Sequence, residues 1–354
     1  MVTLLENPKQ PLASVTVTEK LNGGIGRFYL YTSKFVWLGT TNTDWDTASN
    51  WSTGSVPTIA DDILIANVVN KPVASGTVDV NKMAIAAGSS LTVGGNLTIN
   101  DMLTINSDMD LFGSLIVNGN STGNITYNRY VTFNDTSTLG WHLVGSPVVG
   151  ETIEDIITNG SLADGSSGNR KGLAIYDNNQ NQAPFGSWVY QTTASTGTMN
   201  SGNGYSIKRN VAGKIPFTGT LKTDNLSSFP ITVGSENRWN LIANPYLSSI
   251  KGNDSGSFLS ENLNQLDPNA AAIYVWDSKA QSGTGEYKII NNSSSATNIT
   301  PGQGFFVAAK SGGGSINITE AMQTHGLADL FLRNNNLLPH IKLNISDGNK
   351  VKST

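Results

Sequence analysis

From Ile85 to Val117 the apolar positions recur every six residues. Ile85, Leu91, Leu97, Leu103, Met109 and Leu115 keep this period, and the positions two further on, Ala87, Val93, Ile99, Ile105, Leu111 and Val117, are also apolar. Residues i and i+2 face the same side of a strand. Each hexad therefore reads as a short strand with two inward contacts, followed by a polar corner such as Gly94-Gly95-Asn96 or Asn118-Gly119-Asn120. Stacked units of this kind build a β-solenoid; a meander of very short antiparallel strands is the alternative. At three hexads to a coil the segment makes about two coils, with Val78 and Val80 beginning another. The open ends of a solenoid expose unpaired edges and core. The Trp-rich stretch before it and the region after it are placed to cover them.

A second, longer periodicity follows. Trp141-His142-Leu143-Val144-Gly145-Ser146-Pro147 is echoed by Trp239-Asn240-Leu241-Ile242-Ala243-Asn244-Pro245. Ala174-Ile175-Tyr176-Asp177 is echoed by Tyr274-Val275-Trp276-Asp277, and Gly202-Asn203-Gly204-Tyr205 by Gly302-Gln303-Gly304-Phe305. The offsets are 98, 100 and 100 residues. Three landmarks in the same order at the same spacing predict a duplicated unit of short strands and turns, packed as a sandwich or sheet pair. Each repeat alone has one apolar face, so the two are expected to pack against each other, with Trp141 and Trp239 in equivalent places and Pro147 and Pro245 just past strand ends. Thr152 to Thr158 and Asn253 to Leu266 each allow one short helical turn. At the termini, Val15–Thr18 and Arg27–Thr32 alternate around a Leu21–Gly24 turn, and Ile341–Ile345 alternates before Asp347-Gly348.

Composition supports an all-β chain. Only 14% of the 354 residues are charged, against roughly 25% in ordinary globular proteins. Asn, Ser, Thr and Gly take their place, and these favour turns over helices. Net charge is −4, and the longest basic clusters are the pairs Arg170-Lys171 and Lys208-Arg209, too sparse for a phosphate-binding surface. Nucleic acid is therefore not an expected partner, and no apolar run reaches the length of a membrane span. No cysteine is present, which excludes disulfides, thiol catalysis and Cys-based zinc sites. Met1 leads into Val-Thr-Leu-Leu without a basic n-region, so the chain reads either as cytoplasmic or as a piece of a longer secreted chain, and the Asn/Ser/Thr/Gly-rich, all-β composition favours the piece.

Catalytic constellations are not visible in the pattern. His142, His325 and His340 fall in different regions, and neither a nucleophile elbow nor a phosphate-binding loop occurs. Gly202-x-Gly204 and Gly302-x-Gly304 lack a third glycine and a following helix; they read as tight turns before buried aromatic strands. His142, matched by Asn240 in the repeat, reads as a hydrogen-bonded structural side chain. Glu151, Glu154 and Asp155 read as a solvated turn, and Asp177 and Asp277 as Asx turns at strand ends. Asp44, Asp46 and Asp61 offer oxygen ligands for calcium, though without the spacing of an EF-hand. Trp45, Trp51, Trp188 and Trp276 are the candidates for stacking on a sugar ring, with burial as the competing role.

The succession Trp37-Leu38-Gly39, Trp45-Asp46, Asn50-Trp51, Val56-Pro57-Thr58 and Asp61-Asp62, then the solenoid, then Ile125–Tyr130, Trp141–Pro147, Trp239–Tyr246 and Pro301–Val307, resembles large surface and secreted proteins of Bacteroidetes-type bacteria. Such proteins are typically exported by the type IX secretion system, although their C-terminal sorting domain has no match here. The resemblance implies an extracellular or outer-cell-surface location and brings no catalytic residues. The expected layout is a terminal hairpin of a partial β-domain at 1–34, a Trp-rich cap and solenoid at 35–126, the two repeats at 127–236 and 237–320, and a connector with the first strand of a truncated domain at 321–354. The expected function is a non-catalytic structural or adhesive module, with other domains, polysaccharide or cell-surface components as partners. A carbohydrate-binding module beside a polysaccharide-active enzyme is the alternative. No cofactor other than calcium is implied.

Overall fold

In the computed structural model, which describes residues 16–18, 35–134, 139–166, 168–278, 280–326, 342–346 and 351–353, the hexads from Ile85 to Ile105 wind into a parallel β-solenoid of about three coils. One face is a run of parallel strands, Phe35–Trp37, Asp62–Ile65, Lys82–Ile85, Leu97–Asn106 and Ser121–Val131. A second parallel sheet joins Val73–Ala74, Ser90–Val93 and Ser114–Val117. The first half of Leu97–Asn106 pairs with Val78–Val80 and the second half with Lys82–Ile85, so this strand turns a corner of the coil.

Two inward columns run the length of the stack. Phe35, Ile63, Met83, Leu103 and Ile125 are in register, as are Trp37, Ile65, Ile85, Ile105 and Tyr127, and all ten are buried. Successive partners lie further apart than three hexads, and the extra length goes into corners and a loop. Met109 does not join a rung. Asp108 Oδ1 accepts the backbone N–H groups of Asp110 and Leu111, folding a loop that leaves Met109 exposed and buries Phe112 instead. One corner is a column of glycines: the Gly95 N–H bonds to Gly76 O and the Gly119 N–H to Gly95 O. A Cβ on Gly95 would stand 2.8 Å from backbone atoms of Gly76 and Thr77, so only glycine lets these corners stack.

Both ends of the stack are closed. At the first, Trp37, Trp45 and Trp51 form one buried cluster. At the other, Gly213–Gly219 runs antiparallel to Ile125–Val131 and ends the parallel series. The boundary expected at residue 127 therefore falls inside the last solenoid strand.

The repeats fold as two four-stranded antiparallel sheets of the same order. The first is His142–Val144, Tyr205–Ile207, Arg170–Tyr176, Trp188–Thr192; the second is Trp239–Ala243, Gly304–Ala308, Ile273–Asp277, Glu286–Ile290. Register is preserved: Leu143 opposes Ser206, which opposes Ala174, as Leu241 opposes Phe306, which opposes Tyr274. Helices Ile153–Asn159 and Phe258–Asn262 supply the short helical turns. The strand Leu226–Ile231 pairs with Gly314–Ile318, so the second repeat's structure begins before residue 237. Pro147 and Pro245 lie beyond their strands.

One face of the first sheet joins the solenoid's core and one face of the second covers a separate core; their other faces meet. Leu143, Leu241 and Phe306 form that seam, with Tyr176, Trp188, Trp239, Tyr274 and Trp276 around them. Bonds across it come in related pairs. Val144 bridges Gln303 as Ile242 bridges Asn203, and the Gly145 N–H donates to Gly302 O as the Ala243 N–H donates to Gly202 O. Reciprocal contacts of this kind define a two-fold interface. The Gly-x-Gly turns serve it directly. A Cβ on Gly204 would stand 2.5 Å from Leu241, and one on Gly304 2.9 Å from the Leu143 backbone.

The chain divides into residues 34–333, described above, and a unit made of residues 1–33 and 334–354. In that unit Thr16–Thr18 pairs antiparallel with Lys342–Ser346, which pairs with Val351–Ser353. The two terminal segments, expected to belong to separate partial domains, thus share one sheet. The predicted strand Arg27–Thr32, the turns at Leu21–Gly24 and Asp347-Gly348, and His340 lie outside the described residues.

Candidate functional site

The tryptophans singled out as sugar platforms belong to packed clusters. Trp45 and Trp51 are 3% and 2% exposed. Trp37 and Trp45 stack 6.4 Å apart, while Trp51 presents its edge to both. The indole N–H groups of Trp37 and Trp51 donate to Asn70 O and Trp45 O. Apolar burial at the end of a stack explains the cluster, and it leaves neither Trp45 nor Trp51 a face for a ligand. Trp188 and Trp276 line the seam and are half-buried. Tyr176 meets Trp188 and Phe306 edge to face, and Tyr287 does the same to Trp276 and Phe306. Trp276 also donates its N–H to Trp141 O across the repeats. These contacts make both rings part of the apolar packing of the seam.

The carboxylates are dispersed. Asp177 makes the expected Asx turn, accepting the Asn179 N–H. Asp277 is 7% exposed, and its carboxylate pairs with Lys288 at 2.5 Å on the neighbouring strand. Lys288 stands where the first repeat has Val189, so the duplicates diverge at this point. Glu151 is not solvated either. It is 1% exposed and accepts the N–H groups of Thr152 and Thr218, at 2.8 and 2.5 Å. Burial pushes its carboxyl pKa up, with those two bonds opposing the shift. Glu154 accepts the Gly197 N–H, and Asp155 completes the helix start at Thr152. Asp44 and Asp61 each close a local turn. Among the described residues no three His, Asp or Glu come together in a way that could hold a metal ion. No helix among them is long and apolar enough to cross a membrane.

His142 and His325 are hydrogen-bonded within the fold. His142 Nε2 lies 3.0 Å from Thr132 Oγ1. His325 bridges two rungs of the solenoid: Nε2 pairs with Thr92 Oγ1 and Nδ1 with Ser114 Oγ, both at 2.8 Å. A neutral imidazole satisfies both hydroxyls, one as donor and one as acceptor. Burial lowers its pKa from 6.5 to about 4. Below pH 6.5 the unfolded chain therefore takes up a proton that the folded chain refuses. Stability should fall as pH drops from 6.5 towards 4, by up to about 3 kcal/mol, and should not fall further from this source below pH 4. Denaturant titrations across this window should show the loss in the parent and a flatter profile in His325→Gln. Parallel profiles would place the acid sensitivity elsewhere.

One cleft lies at a position the sequence did not mark. It encloses about 400 Å³ at the rim of the seam and is lined by residues 233–239 with Asp267, Ala270 and Ala308. Trp239 forms one wall and meets Tyr274 edge to face at 4.7 Å. The Asn269 N–H donates to the Asp267 carboxylate and Arg238 pairs with it at 2.6 Å; the first of these, with help from the second, holds Asp267 below the usual carboxylate range. Asn237 is committed to the fold, accepting from Tyr176 Oη and from the Trp239 N–H.

No curated protein and no solved structure matches the chain. One family model does, over residues 36–347, spanning the Trp cap, the solenoid and both repeats. The chain belongs to the family described as a domain of unknown function, DUF8693.

Proposed function

We propose that the chain is a non-catalytic structural and adhesive module of an extracellular or cell-surface bacterial protein. One observation carries this reading: among the described residues, the candidates for chemistry singled out above are individually committed to the fold. Glu151, Asp177, Asp277, His142 and His325 each hold a turn, a strand pair or a rung, in separate places. The nested repeats add a long, doubly capped core, which suits a rigid spacer or display element. Its neighbours would be other domains of the same or a longer chain, together with polysaccharide or cell-surface components. A second reading, a carbohydrate-binding module accompanying a polysaccharide-active enzyme, is favoured by the cleft beside Trp239.

Two experiments test the first reading. Purified chain offered polysaccharide and peptide panels is expected to release no product. Turnover abolished by Asp177→Asn, Asp277→Asn or His142→Gln would overturn it. Antibody against the chain is expected to label intact cells of the bacterium that makes it; labelling only after permeabilisation would refute the surface placement.

A further inference from the structure

We propose that the cleft beside Trp239 binds a neutral saccharide, and that the second repeat alone carries this site. The proposal gives the adhesive reading a ligand class and rests on that reading only to that extent.

The duplication supplies an internal comparison. The Ala163 N–H donates to Lys208 O in the first repeat, and the Asp267 N–H donates to Ala308 O in the second. Leu162 bridges Arg209 as Leu266 bridges Ala309. These pairs fix the equivalences independently of the aromatic landmarks: Ala163 with Asp267, Lys208 with Ala308, and Gly140 with Arg238 beside the matched tryptophans. In the first repeat the Lys208 side chain spans from the strand to the loop before Trp141, its Nζ donating to Leu139 O at 2.6 Å, and it is 6% exposed. In the second repeat the fully buried Ala308 stands in the equivalent place at the wall of the cleft, with no side chain to make that span. The two sheets share order and register, and Lys208 against Ala308 is one of several positions at which their side chains differ.

What lines the opening suits a sugar. A pyranose offers a face of C–H groups that packs on an aromatic ring, and hydroxyls that both donate and accept. Trp239 provides a half-buried ring. Its indole N–H donates to no acceptor among the described residues, as is also the case for Trp45, Trp141 and Trp188 and unlike Trp37, Trp51 and Trp276. Arg238, with 46% of its side chain exposed, uses one nitrogen on Asp267 and leaves the rest of its fork available. Asp267 and Glu236 supply acceptors. A few fixed polar groups around an aromatic wall are the usual make-up of a small-ligand site, and about 400 Å³ lies in the lower part of the range for such sites. Two carboxylates against one guanidinium disfavour an acidic sugar and leave a neutral one.

The test uses the full chain and a panel of methyl glycosides and disaccharides of glucose, galactose, mannose and N-acetylglucosamine, read by saturation-transfer NMR and tryptophan fluorescence. At least one is expected to bind at about 1 mM or below, and Trp239→Ala to weaken it about tenfold or more. Ala308→Lys, which imports the first repeat's filler at a fully buried position, is expected to abolish binding and to lower the melting temperature. Arg238→Ala, at an exposed position, gives the same readout should the lysine disturb the sheet, and should also weaken binding. The proposal is overturned by no binding across the panel, by binding that survives both Ala308→Lys and Arg238→Ala, or by tetramethylammonium binding in place of every sugar. Such a failure would leave the surface-labelling result untouched, so the two readings fall separately.

Discussion

Leu103→Ala is expected to destabilise the chain by about 2–5 kcal/mol, read as a lowered urea midpoint with an unchanged slope. Leu103 is fully buried, with Met83 above it and Ile125 below in register, so the neighbouring rungs cannot collapse into the space it leaves. Thr98, on the outward side of the same strand between Leu97 and Ile99, should tolerate Ala within about 0.5 kcal/mol. Similar losses at Leu103 and Thr98 would contradict the inside–outside assignment on which the solenoid rests. The cost should extend along the stack, because each coil is stabilised mainly by its neighbours.

Trp51→Ala should cost about 3–5 kcal/mol, by removing the residue that joins the first rung to the end cap. Its ring lies 5.1 Å from Trp37, 4.7 Å from Trp45 and 6.5 Å from Phe35. Its loss would open the column that starts at Phe35 and Trp37. Thermal unfolding monitored at a solenoid reporter such as Tyr127, at the far end of one inward column, should shift to lower temperature along with the cap. If Tyr127 unfolds unchanged while the cap is lost, the Trp cluster is an appendage and the stack does not depend on it.

The hexads were legible because Ile85 to Ile105 alternate in and out with hydrophobic side chains that have no other place to go. The same pattern failed at Met109, where an Asp108 side chain captures two backbone N–H groups and outcompetes another rung. The duplication was also legible, since Trp141, Trp239 and their companions fill matched core positions. The reciprocal bonds of the seam were not, because they run between backbone atoms and no side chain advertises them. Glu151 looked solvated beside Glu154 and Asp155; its burial depends on Thr218, a partner 67 positions away. Trp45 and Trp51 carried no sign of which surface they would face. The cleft is encoded by what Ala308 lacks, which only alignment of the two repeats against Lys208 reveals.

Joining the two halves of a reciprocal interface in one polypeptide frees each half from copying the other. In a pair of identical subunits every substitution occurs twice, so a change that opens one rim opens both and weakens the contact on both sides. Here the covalent link keeps the halves together at a fixed, very high local concentration while each mutates alone. Lys208 can brace one rim and Ala308 can vacate the other, and the seam between them tolerates the asymmetry. Reciprocity supplies the stability, and the broken reciprocity supplies room for specialisation.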